Sequence, residues 1–152
     1  SFCVVDLETT GGSPGRSKVT EIGAVRVEGM RVVERFVTLV DPGRPIPEMI
    51  TRLTGIDDEL VEGAPEIGEA LERFVAFARQ DVLVAHNGRQ FDLPILARQV
   101  KELGLDASGR SVFDTLPLAR ALVSGPSATS DIGWNLTSTA IIRIVKAMVE
   151  RP

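Results

Sequence analysis

Two carboxylates, Asp6 and Glu8, stand two residues apart in the apolar run that opens the chain, and Asp92 precedes a helical pattern in mid-sequence. Residues i and i+2 of a strand leave the same face, about 6.6 Å apart. Side chains with that spacing can converge on one cation. Charge at the end of a buried strand is costly to desolvate, and a bound metal removes that cost. Carboxylate oxygens are hard ligands that suit magnesium or manganese, and one histidine with one cysteine makes no zinc set. The same spelling also suits two solvated acids at a strand end, or Asp6 as a turn former. Asp92 taken alone reads as a helix N-cap rather than a ligand. A D-x-E pattern is common, so its surroundings must decide its meaning.

Those surroundings are the elements that would position the acids. Residues 2–7 read as a buried strand ending at a Thr-Thr-Gly-Gly turn, followed by a Gly/Ser/Pro-rich loop over 12–17. Residues 19–27 and 31–40 form a hairpin around Glu28-Gly29-Met30, and Asp41-Pro42-Gly43 stops the sheet. Pro47 opens a short helix over 48–53, closed by Gly55, and 57–61 is a second short helical piece. Residues 66–79 are the clearest helix, with Ile67, Ala70, Leu71, Phe74, Val75 and Ala78 on one face. A short buried strand spans 82–85. A helix over 93–103 turns Leu93, Leu96, Val100 and Leu103 to the core and ends at Gly104. Residues 111–113 suggest a further strand and 116–122 a helix. The stretch 124–130 is a polar loop, and Ile141, Ile142, Val145, Met148 and Val149 mark a last amphipathic helix. Three early strands followed by alternating helix and strand predict an α/β fold, a mixed sheet flanked by helices.

Composition frames these readings without deciding them. The 152 residues are 43% hydrophobic and 25% charged, which suits one soluble domain with a real core. No apolar run has membrane-span length and no signal peptide opens the chain, so no membrane partner is expected. The lone Cys3 lies in an apolar run, reads as a buried thiol, and fits a reducing cytoplasm. A net charge of −4 argues against a nucleic-acid coat protein, but not against an enzyme that grips a few phosphates locally. Acids gather over 57–72, while Arg89, Arg98, Lys101 and Arg110 lie further on. The first residue is Ser rather than Met, which suggests a piece excised or truncated from a longer protein.

The segment Val4-Val5-Asp6-Leu7-Glu8-Thr9-Thr10-Gly11 resembles the first motif of the DnaQ-like (DEDD) 3′→5′ exonucleases, which have a ribonuclease-H-like fold. The similarity continues through Glu21-Ile22-Gly23-Ala24, Pro45-Ile46-Pro47, Leu53-Thr54-Gly55-Ile56 and Ala64-Pro65, in the manner of bacterial polymerase epsilon-subunit and PolC proofreading domains. His86-Asn87 through Phe91-Asp92 resembles the second motif, one residue longer than the usual proofreading form and closer to the TREX-type form. Asp114 to Arg120 resembles the segment that follows. Residues 2–122 carry the family pattern; the tail, 123–152, is atypical.

The resemblance implies a single exonuclease domain acting on DNA 3′ ends in proofreading or repair. Asp6, Glu8 and Asp92 would be both catalytic residues and ligands of two Mg²⁺ or Mn²⁺ ions. Leu7, Thr9 and Thr10 would hold the terminal nucleotide, Leu53 and Thr54 would pack against the last bases, and Phe91 would line the pocket. His86 and Asn87 would shape the site, with His86 not the general base. Asp114 matches no metal ligand and reads as structural. The expected partners are a single-stranded DNA 3′ end or frayed duplex, and a polymerase or helicase in the same chain or complex.

One part of the family pattern is missing. The third motif supplies a His, or a Tyr in the other branch, and an Asp five residues beyond it. The chain has no second histidine and no tyrosine, and the neighbours of Asp131 do not match. The general base and fourth ligand are therefore unassigned. A truncated or gapped sequence, an altered tail, and a naturally inactive relative all account for this. Two alternatives thus stand beside the DNA exonuclease: a non-catalytic nucleic-acid or polymerase-binding module, and an RNA 3′-trimming exonuclease.

Overall fold

The structure is a computed structural model that describes residues 1–105 and 111–117. The expected elements over 124–130 and 141–149, and Asp131, lie outside that range, as does most of the helix expected over 116–122.

Strand β1 (Phe2–Thr9) is followed by β2 (Val19–Glu28) and β3 (Arg31–Leu39), then α1 (Glu48–Thr54), α2 (Asp58–Val61), α3 (Ile67–Ala78), β4 (Val82–Ala85), α4 (Asp92–Glu102) and β5 (Val112–Asp114). The sheet order is β3-β2-β1-β4-β5. The first three strands are antiparallel neighbours, while β4 runs parallel to both β1 and β5. This is the mixed sheet expected. Gly29 and Met30 join β2 to β3 with φ of 53° and 63°, the positive pair that a two-residue hairpin turn requires.

Burial alternates strictly along β1. Cys3, Val5 and Leu7 enter the core with Ile22 and Ala24 of β2, covered by Ala70, Leu71 and Phe74 of α3 and by Ile95 and Leu96 of α4. Phe36 on β3 packs against Phe74 and Phe77, with ring centroids 6.1 and 5.2 Å away. A second small cluster, Ile46, Ile50, Ile56 and Val61, fastens α1 and α2 beside the sheet. Gly55 closes α1 at φ 79° with its N–H on the Thr51 carbonyl.

Two expectations need correction. The core face of α4 carries Asp92, Ile95, Leu96 and Gln99, whereas Leu103 is 42% exposed. The polar Gln99 hides this face in the sequence, and the leucines suggest one rotated by part of a turn. The N-cap of α4 is Phe91, without a side-chain cap bond. Asp92 is already inside the first turn, so it does no capping that would account for its presence.

Arg26 is buried near the end of β2. Its Nε donates to Asp81 at 2.7 Å, and its other nitrogens meet Glu34 and Glu28 at 3.0 and 2.9 Å. The bond from Arg26, then one from Ser1, holds the Asp81 carboxyl below its ordinary value. This knot ties the hairpin to the α3–β4 turn at the end of the sheet away from the acids.

Candidate active site

Asp6 and Glu8 occupy the β1 face opposite Cys3, Val5 and Leu7, and both are half-buried. Asp6 pairs across the ladder with Gly23, and Glu8 with Glu21. Glycine opposite Asp6 leaves its carboxylate room. Glutamate opposite Glu8 places like charges on directly paired residues, a destabilising arrangement in the absence of a cation. The register slips between Glu8 and Thr9, and such a bulge bends the strand where a side chain must be re-aimed. Beyond it the Thr9 hydroxyl donates to the Gly11 carbonyl at 2.7 Å.

The facing wall grows from the end of β4. His86 and Asn87 leave the strand, and Asn87 takes φ 55° to turn the chain. Gly88 must follow, because a Cβ there would stand 2.4 Å from the Ala85 Cβ. Asp114, at the end of the neighbouring β5, accepts from the Arg89 N–H and the Leu116 N–H, each at 2.9 Å. Its carboxylate therefore holds the loop in place, the structural role expected of it. His86 Nδ1 lies 2.9 Å from the Thr115 hydroxyl. Burial lowers the His86 pKa, partly offset by Asp114.

The two walls and α1 enclose an open cleft of about 300 Å³. Asp6, Leu7, Glu8 and Thr9 line it from β1; His86, Asn87, Phe91 and Asp92 face them; Ile50, Leu53 and Thr54 form the third side. Every site residue expected from the sequence is on this cleft except Thr10. Thr10 is buried, and its hydroxyl accepts from the Lys18 N–H at 3.1 Å and from Arg44 at 2.8 Å. Sequence reasoning missed Gly11, Gly12 and Ile50, which also line the cleft. The turn glycines were visible as a turn, but nothing in their spelling placed them against the acids.

Electrostatics mark Asp92 out. Burial, then Asp6, Glu8 and Asp114 in that order, push its carboxyl up to about 8. Three negative neighbours favour the neutral acid. The Asn87 Oδ1 is also buried without a hydrogen-bond partner among the described residues, on a residue that lines the cleft.

The donor set fits a hard divalent cation in chemistry: three carboxylates on one cleft whose mutual repulsion such an ion would reverse. It is not a closed cage. Among the described residues, no three His, Cys, Asp or Glu side chains stand close enough together, as arranged here, to hold a metal ion. Also among the described residues, no helix is long and apolar enough to cross a membrane.

The sequence profile of the exonuclease family RNase_T matches residues 3–132. Among curated proteins, the chain is similar to the PolC-type DNA polymerase III of Caldanaerobacter subterraneus, 46% identical over 121 residues. The corresponding proteins of Clostridium perfringens and Thermotoga maritima are 42% and 38% identical over 121 and 132 residues. These matches cover 80–86% of this chain but only 8–10% of the relatives, so the chain spans about a tenth of their length. Among solved structures, E. coli exonuclease I in complex with a dT13 oligonucleotide superposes with a TM-score of 0.70 at 19% identity, over 79% of this chain and 29% of that one. An apo form of exonuclease I gives 0.71, over 79% of this chain and 30% of that one. At that identity the likeness shows the fold, a ribonuclease-H-like α/β sheet.

Proposed function

Because the chain belongs to the DnaQ-like exonuclease family, whose members depend on divalent metal, we propose that it removes nucleotides from DNA 3′ ends and does so with Mg²⁺ or Mn²⁺. The observation that carries this reading is the meeting of Asp6, Glu8 and Asp92 in one cleft, where burial first and then the neighbouring carboxylates push the Asp92 carboxyl up. These three residues would hold the ions, whose chemistry is to neutralise a phosphodiester and activate water. Leu7, Thr9 and Asn87 would hold the terminal nucleotide, with the Asn87 Oδ1, unpartnered among the described residues, accepting from a sugar hydroxyl or base amine. Phe91 and Leu53 present apolar surface to the base faces. His86, tied to Thr115, shapes the wall and is not the base. The likeness to PolC-type polymerases makes a replicative polymerase in the cytoplasm the natural partner.

A second reading has one observation behind it. The single histidine is already engaged and the chain has no tyrosine, so the cleft could bind a 3′ end without cutting it. One experiment separates the readings. A 5′-labelled single-stranded oligonucleotide is incubated with Mn²⁺ and either the wild-type chain or Asp6→Ala, and Mn²⁺ affinity is measured for both. Stepwise 3′ shortening by wild type alone supports the exonuclease. Loss of Mn²⁺ binding in Asp6→Ala, with no shortening by either, supports the binding module. Equal trimming by both proteins ends the metal-site reading. A matching RNA oligonucleotide reports the sugar preference.

A further inference from the structure

The chain is acidic overall, yet one rim of the cleft is not. Between Glu8 and Glu21 there is no Asp or Glu, and this stretch carries Arg16 and Lys18, both exposed. Two distant arginines join them. Arg44 donates to the Thr10 hydroxyl and the Arg16 carbonyl at 2.8 and 2.5 Å. Arg98, reaching across from α4, donates to the Gly15 and Ser17 carbonyls at 2.5 and 3.0 Å. Among the described residues no carboxylate pairs with Arg16, Lys18 or Arg44; the nearest to Arg98 is Glu102, 4.0 Å from its Nε.

The loop that carries these charges is not loose. The Ser17 hydroxyl donates to the Gly11 carbonyl at 2.7 Å and accepts from the Ser13 N–H at 3.1 Å. The Thr10 N–H meets the Lys18 carbonyl at 2.8 Å. With Arg44 and Arg98 on its carbonyls, the loop is held at both shoulders, and its first residues, Gly11 and Gly12, line the cleft itself. A fixed group of cations, on or against a loop whose first residues line a carboxylate-bearing cleft, suits a ligand with a reactive end and a long anionic body.

We propose that the loop over residues 11–18, with Arg16, Lys18 and Arg44, is a saddle for the sugar–phosphate backbone of the strand whose 3′ end enters the cleft, with Arg98 as the strut that fixes it. This deepens, and rests on, the reading of the cleft as a 3′-end site. The saddle acts on the body of the strand and not on the scissile bond. It explains how a chain of net charge −4 keeps a polyanion beside its own acids. Each phosphate neutralised on a single strand contributes about 0.7 to the slope of log affinity against log salt.

The test uses the whole chain in EDTA, with a fluorescent 20-nucleotide single strand and a dinucleotide as probes, over a range of salt. Arg16→Glu/Lys18→Glu is expected to bind the 20-mer at least tenfold more weakly and to flatten the salt slope by about 1.4, two phosphates' worth, with dinucleotide binding unchanged. The control, Arg31→Glu/Arg73→Glu, changes net charge equally at exposed sites away from the cleft and should leave the 20-mer within about twofold of wild type, because distant charges are screened. Equal losses in the two doubles, an unchanged slope in the saddle double, or no measurable 20-mer binding by wild type would each overturn the saddle. Failure of the cleft reading shows separately, in the Mn²⁺ affinity and trimming of Asp6→Ala, which these EDTA measurements do not use.

Discussion

Asp92 carries a burden that can be measured without any substrate. Its carboxyl is pushed from an ordinary 3.8 up to about 8, by burial first and by Asp6, Glu8 and Asp114 after that. A carboxyl whose folded pKa exceeds its unfolded one binds its proton more tightly in the folded state. Stability is then greatest below the unfolded value and is lost as pH rises through the folded one. Taken at face value, the loss between about pH 5 and pH 8.5 reaches about 4 kcal/mol. The first-turn amides of α4 favour the charged form and the cleft can relax, so about 2 kcal/mol is the expectation. Asp92→Asn keeps the shape and cannot ionise. In EDTA the variant should match or exceed wild type, with the gap in Tm widening by about 4–8 °C from pH 5 to pH 8.5. Saturating Mn²⁺ should then restore wild type by about 3 kcal/mol at a hundred times its Kd and leave Asp92→Asn nearly unmoved. Thermal scans at three pH values, with and without Mn²⁺, read both effects. A gap that does not change with pH refutes the electrostatic argument, and equal Mn²⁺ stabilisation of both proteins refutes the assignment of Asp92 as a ligand.

Gly88→Ala places a methyl group against the Ala85 Cβ and should cost about 1–3 kcal/mol by overpacking, visible as a lower urea midpoint. His86 is the only histidine, so its ring proton is unique in an NMR titration. It should titrate below 6.5, and lower still in Asp114→Asn, because Asp114 opposes the effect of burial; a higher value in that variant would contradict the geometry. Leu53 is 81% exposed, so Leu53→Ala should leave stability within about 0.5 kcal/mol while weakening oligonucleotide binding several-fold by fluorescence anisotropy.

How far the sequence could be read depended on where each signal lay. β1 was legible because Phe2 to Val5 is an apolar run that stops at a Gly-containing turn, and the period of two along a strand puts Asp6 and Glu8 on one face from their spacing alone. The α3 face was legible because its apolar residues keep helical spacing over three turns. The α4 face was not, because a buried Gln99 and a buried Asp92 interrupt it while an exposed Leu103 imitates it. Arg26 had no sequence signal at all: its partners Glu28, Glu34 and Asp81 meet only through strand pairing and a turn 55 residues away. Thr10 was expected on the cleft from its motif, but the bulge after Glu8 turns it toward Lys18 and Arg44 instead.

The strand order explains why the acids and the cations end up as neighbours. β1 has an antiparallel partner on one side and a parallel one on the other. Its carboxyl end therefore opens onto two different connections: the short reversing loop to β2, and the end of β4 where the chain departs for α4. The chain leaves β1 for a neighbour on one side and leaves β4 for a neighbour on the other, and in open α/β sheets such a reversal of strand order leaves a crevice outside the carboxyl ends. Here β1 delivers Asp6 and Glu8 to that crevice, the β4–α4 connection delivers His86, Asn87 and Asp92, and the reversing loop delivers Arg16 and Lys18. Asp92 is held in place by α4, and Arg98, two turns along the same helix, grips the basic loop. One helix thus sets the position of both walls, so that loosening Arg98 should disturb the acidic cleft and the basic rim together.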